Sequence, residues 1–149
     1  MMALDMPDQV RYYKARMDGT LSFGAQFWMR ILKNKAFHKF AHKEGISDTT
    51  LRQLVQDMSH GKIDVDYGGG VMKQRIARSG QGASGGYRSI ILFQKGGRAF
   101  FVYGFAKKDR DNIAPDEVKA FKTLATVMFK HTDTELNTLI EKGIYKEVT

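Results

Sequence analysis

The residues best suited to chemistry in this sequence are cationic, and they are concentrated between residues 71 and 110. Over the whole chain 24 Lys and Arg stand against 16 Asp and Glu, giving a formal net charge of +8. Residues 71–110 hold one acidic side chain, Asp109, so this stretch carries the whole net charge. Its nine cationic residues are Lys73, Arg75, Arg78, Arg88, Lys95, Arg98, Lys107, Lys108 and Arg110. Charge segregated in this way favours a phosphate-rich partner, such as a nucleic acid or a ribonucleoprotein.

The pattern around these cations predicts three strands. They are VMKQRIAR, YRSIILFQ and AFFVYGFA, joined by the glycine-rich segment SGQGASGG and by the turn KGGR. Side chains alternate between the two faces of a sheet along a strand, so Lys73 and Arg75 point to the same face. Arg78 points to the opposite face unless a bulge intervenes. Arg88 follows on the next strand, and Lys107 and Lys108 end the third.

Two interpretations of these cations remain open. They can form a solvated basic surface without a specific role. Alternatively, they can line a concavity in which guanidinium groups clamp the nonbridging oxygens of a phosphate and stabilise the charge that develops during phosphoryl transfer.

Other motifs in the chain give weaker signals. Gly80-Gln-Gly82-Ala-Ser-Gly85 matches a dinucleotide-binding pattern, but that pattern must lead into a helix and this one leads into a strand, so we expect a flexible hairpin loop. His38 and His42 are four residues apart without an obvious third ligand, which favours solvated helix histidines over a metal site. Residues 71–110 contain no paired carboxylates for two-metal or glycosidase chemistry. We expect no metal and no cofactor.

The N-terminal elements must support this basic stretch. Residues 1–28 have no clean hydrophobic period and are predicted to be an extension, partly ordered or not native, before a domain over residues 29–149. Residues 29–33 predict a first strand. Ala36, Phe37, Phe40 and Ala41 then predict a helix that ends at Gly45. Ser47 or Asp48 caps a second helix, which stops at Gly61 and carries Leu51, Leu54, Val55 and Met58.

The remaining elements complete an α+β prediction. Residues 62–70 are expected to form a loop, and Gly96-Gly97 a two-residue hairpin turn with positive φ at both positions. Residues 100–105 are almost wholly apolar, which predicts a central strand covered on both faces. Pro115 opens a third helix, and a capping box of Thr132 and Glu135 opens a fourth. A final edge strand follows. We therefore predict a small antiparallel sheet of three to five strands packed against an N-terminal helical hairpin and C-terminal helices.

Composition excludes several classes of protein. The chain has no cysteine, which removes disulfides, zinc fingers and thiol nucleophiles. No apolar run approaches the roughly 20 residues of a membrane span. Acidic residues interrupt the first thirty positions, which argues against a secretory signal. We expect a soluble cytoplasmic protein with no membrane partner.

The chain resembles the RelE/HigB superfamily of bacterial type II toxins, and in particular its RelE-like branch. The resemblance lies in the segments MKQRIAR, GGYRSIILF and AFFVYGFAKKDRDNI and in the capped helix that follows them. The resemblance covers about residues 29–148. It implies a toxin of a toxin–antitoxin system. Such a toxin is a metal-independent endoribonuclease that cuts mRNA in the ribosomal A site, where it contacts 16S rRNA of the 30S subunit. The resemblance also implies a cognate antitoxin that neutralises the toxin.

The resemblance further implies roles for single residues. Lys73 and Arg75 would face the scissile phosphate, Arg88 would stabilise the transition state, and Lys107 or Lys108 would supply the basic residue after the third strand. The residues expected to bind RNA are Arg78, Tyr87, Tyr103 and Arg110. Some family members carry a tyrosine shortly after the third strand, and this chain has none there, so the general base stays unassigned. Lys73 could serve if Arg75 and Arg88 lowered its pKa.

Two other functions stay open. A ParE-like member of the superfamily would inhibit DNA gyrase by binding, although that branch generally lacks a dense basic site. A non-catalytic RNA-binding module would use the same cations for affinity alone. Phe23, Phe27 and Trp28 could form an apolar patch for an antitoxin or over the active face, although packing against the edge of the domain is the simpler expectation.

Overall fold

A six-stranded mixed sheet lies between two pairs of helices in the computed structural model, which describes residues 29–78 and 86–149. The predicted extension and the loop from Gly80 to Gly85 lie outside the described residues. The elements in chain order are β1 (Arg30–Asn34), α1 (Lys35–Glu44), α2 (Asp48–Ser59), β2 (Val65–Gly68), β3 (Val71–Ile76), β4 (Tyr87–Phe93), β5 (Arg98–Ala106), α3 (Pro115–Lys130), α4 (Asp133–Glu141) and β6 (Tyr145–Glu147).

The strands lie in the order β2-β3-β4-β5-β1-β6. All neighbours are antiparallel except β1 and β5, which run parallel and pair Leu32 with Phe100. The α+β prediction is confirmed, but the sheet has six strands rather than three to five and is mixed rather than antiparallel. The parallel pair arises because a long crossover through α1 and α2 separates β1 from the later strands. The predicted edge strand is confirmed as β6, which pairs with β1.

Each face of the sheet is covered by one pair of helices. On one face, strand residues such as Ile91 and Phe101 pack with Phe37 of α1 and Leu51 of α2. On the other face, strand residues such as Ile90 and Phe100 pack with Met128 of α3 and Leu136 of α4. All seven residues of β4 are buried, and β5 lies inside the sheet with Phe100 and Phe101 fully buried on opposite faces. The prediction of a central third strand is therefore confirmed.

Local signals fix the helix ends. Ser47 caps α2 by accepting a hydrogen bond from the Thr50 amide, at 3.2 Å, and Pro115 is the first residue of α3. Thr132 and Glu135 form the predicted capping box, with bonds of 3.1 and 2.9 Å. Gly45 ends α1 with φ of 70°. These predictions are confirmed. One detail of α1 is wrong: Ala36 is exposed, and Phe37 and Ala41 supply the buried face.

Two predicted loops differ in the structure. Residues 62–70 are not wholly a loop, because β2 pairs with β3 and places Val65 opposite Lys73. The return between them uses Gly68, Gly69 and Gly70, all with positive φ. At the β4–β5 turn only Gly96 has positive φ. The Gly97 amide donates to the Gln94 carbonyl at 2.9 Å, so Lys95 and Gly96 are the central residues of the turn.

Candidate active site

A cleft of about 300 Å³ lies where β3 ends and β4 begins, on the sheet face that also carries α3. Strand alternation places Lys73 and Arg75 on this face together with Val71, and Arg75 lies directly opposite Arg88 on β4. The residues that line the cleft are Asp64, Val65, Lys73, Arg75, Arg88, Asp111 and Asn112. The structure therefore brings together three of the five predicted catalytic cations.

These three cations make no ion pair with a carboxylate among residues 29–78 and 86–149. Lys73 donates from Nζ to the Asn112 side-chain oxygen, and Arg75 is exposed. Two arginines directly opposite on neighbouring strands repel one another, which lowers the stability of the sheet. The Asp64 and Asp111 carboxylates line the same cleft without forming a described ion pair with these cations, so an anionic ligand bound there would relieve the repulsion between the arginines.

Arg88 lies against the floor of the cleft and is 7% exposed. Its guanidinium donates to the Tyr87 carbonyl at 3.2 Å, and its strand partner on the other side is Phe105. A guanidinium has five N–H donors, so most of this group's donor capacity faces no described protein acceptor. A phosphate in the cleft could accept these bonds, since arginine matches two phosphate oxygens at once.

An acidic side chain reaches the cleft from outside the basic stretch. Asp64 precedes β2, and its Oδ2 accepts a hydrogen bond from the Arg75 amide at 2.7 Å. The Asp64 amide donates to Gln74 Oε1 at 2.7 Å, and Gln74 Nε2 donates to the Lys62 carbonyl at 3.1 Å. Gln74 is 3% exposed. Sequence reasoning missed Asp64 because residues 62–70 were interpreted as a loop. The pairing of β2 with β3, which begins one residue after Asp64, brings this residue to the cleft.

The segment after β5 closes another side of the cleft, and Arg110 anchors it. The Arg110 guanidinium donates to both carboxylate oxygens of Glu117, at 2.6 and 3.2 Å, and to the Tyr103 hydroxyl at 3.1 Å. It also lies 5.5 Å from the centroid of the Phe105 ring. The hydrogen bond to Glu117 is the main cause that raises the pKa of Arg110, and the same bond lowers the pKa of Glu117. This anchoring holds Asn112 near Lys73.

The other predicted residues lie outside the lining of the cleft. Tyr87 is on the opposite sheet face, where it packs against Phe40 and donates to Glu44 at 3.0 Å; burial is the main cause that raises the pKa of Tyr87. Arg78 is exposed beyond the end of β3, and its guanidinium lies 6.0 Å from the Tyr87 ring centroid. Lys107 and Lys108 occupy the turn after β5, at the same end of the sheet as the cleft.

The described residues do not contain a group of three or more His, Cys, Asp or Glu side chains arranged to hold a metal ion. His38 and His42 stack with their ring centroids 6.5 Å apart. His42 is exposed, but His38 is half-buried and its Nδ1 has no described partner, so the expectation of two solvated histidines is wrong for His38. None of the helices in residues 29–78 and 86–149 is both long and apolar enough to cross a bilayer.

Comparison with protein families gives a match over residues 29–148 to the family described as the RelE toxin of the RelE/RelB toxin–antitoxin system. The match includes every residue that lines the cleft. A comparison of the chain with curated proteins gives no match.

Proposed function

Because this chain belongs to the RelE toxin family and is a toxin of a toxin–antitoxin system, we propose that it is an endoribonuclease that cuts mRNA in the ribosomal A site and so inhibits translation. The observation that carries the proposal is the cleft itself, in which Lys73, Arg75 and Arg88 face one space without a carboxylate ion pair among the described residues. The family also supplies the partner, a cognate antitoxin that neutralises the toxin.

The cleft suits RNA cleavage by attack of the 2′-hydroxyl on the adjacent phosphorus. That reaction concentrates negative charge on the nonbridging oxygens in the transition state, and fixed donors aimed at those oxygens stabilise it. Arg88 is the best placed of the three cations, because its buried guanidinium is held by the strand and has donors to spare. Arg75 and Lys73 line the more open side, where they can hold the phosphates.

The residues outside the cleft have supporting roles in this proposal. Lys107, Lys108 and Arg78 extend the basic surface at the same end of the sheet, where they can contact neighbouring phosphates of the message or of 16S rRNA. Arg110 and Tyr103 hold the segment that carries Asn112 through their hydrogen bonds to each other and to Glu117. Tyr87 acts from the opposite face, as a buried support for β4 beside Arg88.

The test is a cleavage assay with a defined mRNA, free or on programmed ribosomes, with cut ends mapped by primer extension. We expect codon-phased cuts only when ribosomes are present. The triple variant Lys73→Gln, Arg75→Gln, Arg88→Gln should lose these cuts while remaining folded.

A matched control is available on surfaces remote from the cleft. Lys35→Gln, Lys39→Gln and Lys95→Gln together remove the same charge from exposed positions of α1 and the β4–β5 turn. This variant should cut normally. Normal cutting by the cleft variant would disprove the assignment of the site. Gyrase inhibition without any RNA cleavage would instead support the ParE-like alternative, and RNA binding without cleavage would support a binding module.

A further inference from the structure

We propose that Asp64 is the general base of this cleft, which takes the proton from the attacking 2′-hydroxyl. The inference rests on the proposed ribonuclease function and assigns the role of general base, which the sequence leaves without a residue. An endoribonuclease of this kind needs a proton acceptor beside the scissile phosphate. The segment that follows β5 offers no tyrosine for the purpose.

The position of Asp64 supports this role. The carboxylate lies at the edge of the cleft next to Arg75, where one oxygen accepts the Arg75 amide hydrogen bond at 2.7 Å. Its second oxygen has no hydrogen bond to any of the described residues. An ionised carboxylate has two oxygens and about four lone-pair sites, so this oxygen can accept a proton from a substrate hydroxyl.

The carboxylate is also held in a fixed position. β2 begins only at Val65, so no β2 residue lies opposite Arg75 to accept a hydrogen bond from its amide, and the Asp64 side chain accepts that bond instead. The backbone of Asp64 is fixed in turn by Gln74, a buried side chain that binds both the Asp64 amide and the Lys62 carbonyl. A catalytic base benefits from such fixed placement, because a misplacement of about 1 Å can cost 10²-fold in rate.

The other candidates in the cleft are less suitable. Lys73 Nζ already donates a hydrogen bond to the Asn112 side-chain oxygen, and a lysine ammonium group has three donors and no acceptor. Asp111 also lines the cleft and is exposed, as Asp64 is, but no hydrogen bond from the described residues fixes the Asp111 carboxylate. Asp64 is therefore the acceptor that the fold positions.

The reaction balances with this assignment. The proton of the 2′-hydroxyl passes to Asp64, the 2′-oxygen forms a bond to phosphorus, and the bond from phosphorus to the 5′-oxygen breaks. The 5′-oxygen takes a proton from water, which reaches the cleft on its exposed side, and Asp64 returns its proton to solvent. The products are a 2′,3′-cyclic phosphate and a 5′-hydroxyl, and Arg88 stabilises the charge on the phosphorane oxygens meanwhile.

Asp64→Asn separates catalysis from structure, because the asparagine side-chain oxygen still accepts the Arg75 amide hydrogen bond but cannot take a proton. We expect the single-turnover rate on programmed ribosomes to fall by about 10²–10⁴-fold, with an unchanged melting temperature. Affinity for the ribosome-bound message should be equal or higher, since a negative charge has been removed from a basic cleft.

The matched control is Asp66→Asn. Asp66 is two residues away, is exposed, and also accepts a backbone hydrogen bond, from the Gly68 amide at 2.8 Å. This change should leave the rate within a few-fold of the original. Cutting by Asp64→Asn at nearly the original rate would overturn the inference, and so would a large loss of rate that is found only in Asp111→Asn. Either result would leave the proposed function intact. Absence of cleavage by the unaltered protein would overturn both.

Discussion

Arg88 is expected to lower the stability of the protein while being needed for its activity, and Arg88→Met tests both properties. The side chain is 7% exposed, and its one hydrogen bond to the described residues goes to the Tyr87 carbonyl. Methionine has a similar length and flexibility, and can occupy the same space beside Phe105 without a charge.

The magnitude follows from the cost of burying a charge. Removing an ion from water costs several kcal/mol, and buried ionic groups can often be replaced by apolar residues with a neutral or stabilising effect of about 1–4 kcal/mol. We therefore expect the free energy of unfolding of Arg88→Met to be unchanged or raised by up to about 2 kcal/mol. Loss of one fixed donor to the transition state should lower the cleavage rate by about 10²–10³-fold.

The assay combines urea unfolding, followed by circular dichroism, with single-turnover cleavage on programmed ribosomes. Arg98→Met is the matched control, because Arg98 is an arginine with protein partners: it binds Asp133 at 2.8 Å and the His131 carbonyl. That variant should lose about 1–3 kcal/mol of stability and retain cleavage. A loss of more than about 2 kcal/mol in Arg88→Met would show that Arg88 is a structural residue and would refute the reasoning.

Two further predictions concern the sheet face that carries α1 and α2. In Gly104→Ala the added methyl group would lie 2.4 Å from the Phe40 ring. We expect urea unfolding to show a loss of about 1–3 kcal/mol in the free energy of unfolding, partly restored by the second change Phe40→Leu. The absence of any loss would show that the ring moves freely. Burial is the main cause that lowers the pKa of His38, and the charge of Lys33 is the next. Below the unfolded-state pKa of about 6.5, the unfolded chain therefore binds a proton that the folded chain does not. Stability should therefore be complete above about pH 6.5 and fall as the pH drops through the lower folded-state pKa; urea midpoints should vary less with pH in His38→Gln, and an equal dependence would contradict this assignment.

The sequence was sufficient for features that depend on neighbouring residues. Ser47, Pro115 and the Thr132–Glu135 pair fix helix ends through contacts within one turn, so their positions could be predicted. The shared face of Lys73 and Arg75 followed from strand alternation. The same rule was not applied to Tyr87, which was expected to bind RNA but lies on the face opposite Arg88, because adjacent residues of a strand point in opposite directions.

The features that were missed depend on distant contacts. The Asp64 carboxylate is useful only because β2 begins one residue after it, which leaves the Arg75 amide without a backbone acceptor on that strand. Nothing local indicates that Glu117, in a helix, binds Arg110 before it. The parallel pairing of β1 with β5 likewise depends on the path of the chain through two helices, which no strand pattern contains.

The position of β1 between β5 and β6 also determines the order in which the domain can assemble during synthesis. Strands β2 to β5 neighbour one another in both sequence and sheet, so the hairpins that carry the cleft can form soon after they are made. β1 is synthesised early but pairs with the two strands made last, and Arg30 meets Glu147 across 117 positions. Until residues 145–147 have been translated, β1 lacks its outer partner, and this part of the nascent chain presents an open strand edge that can pair with other chains.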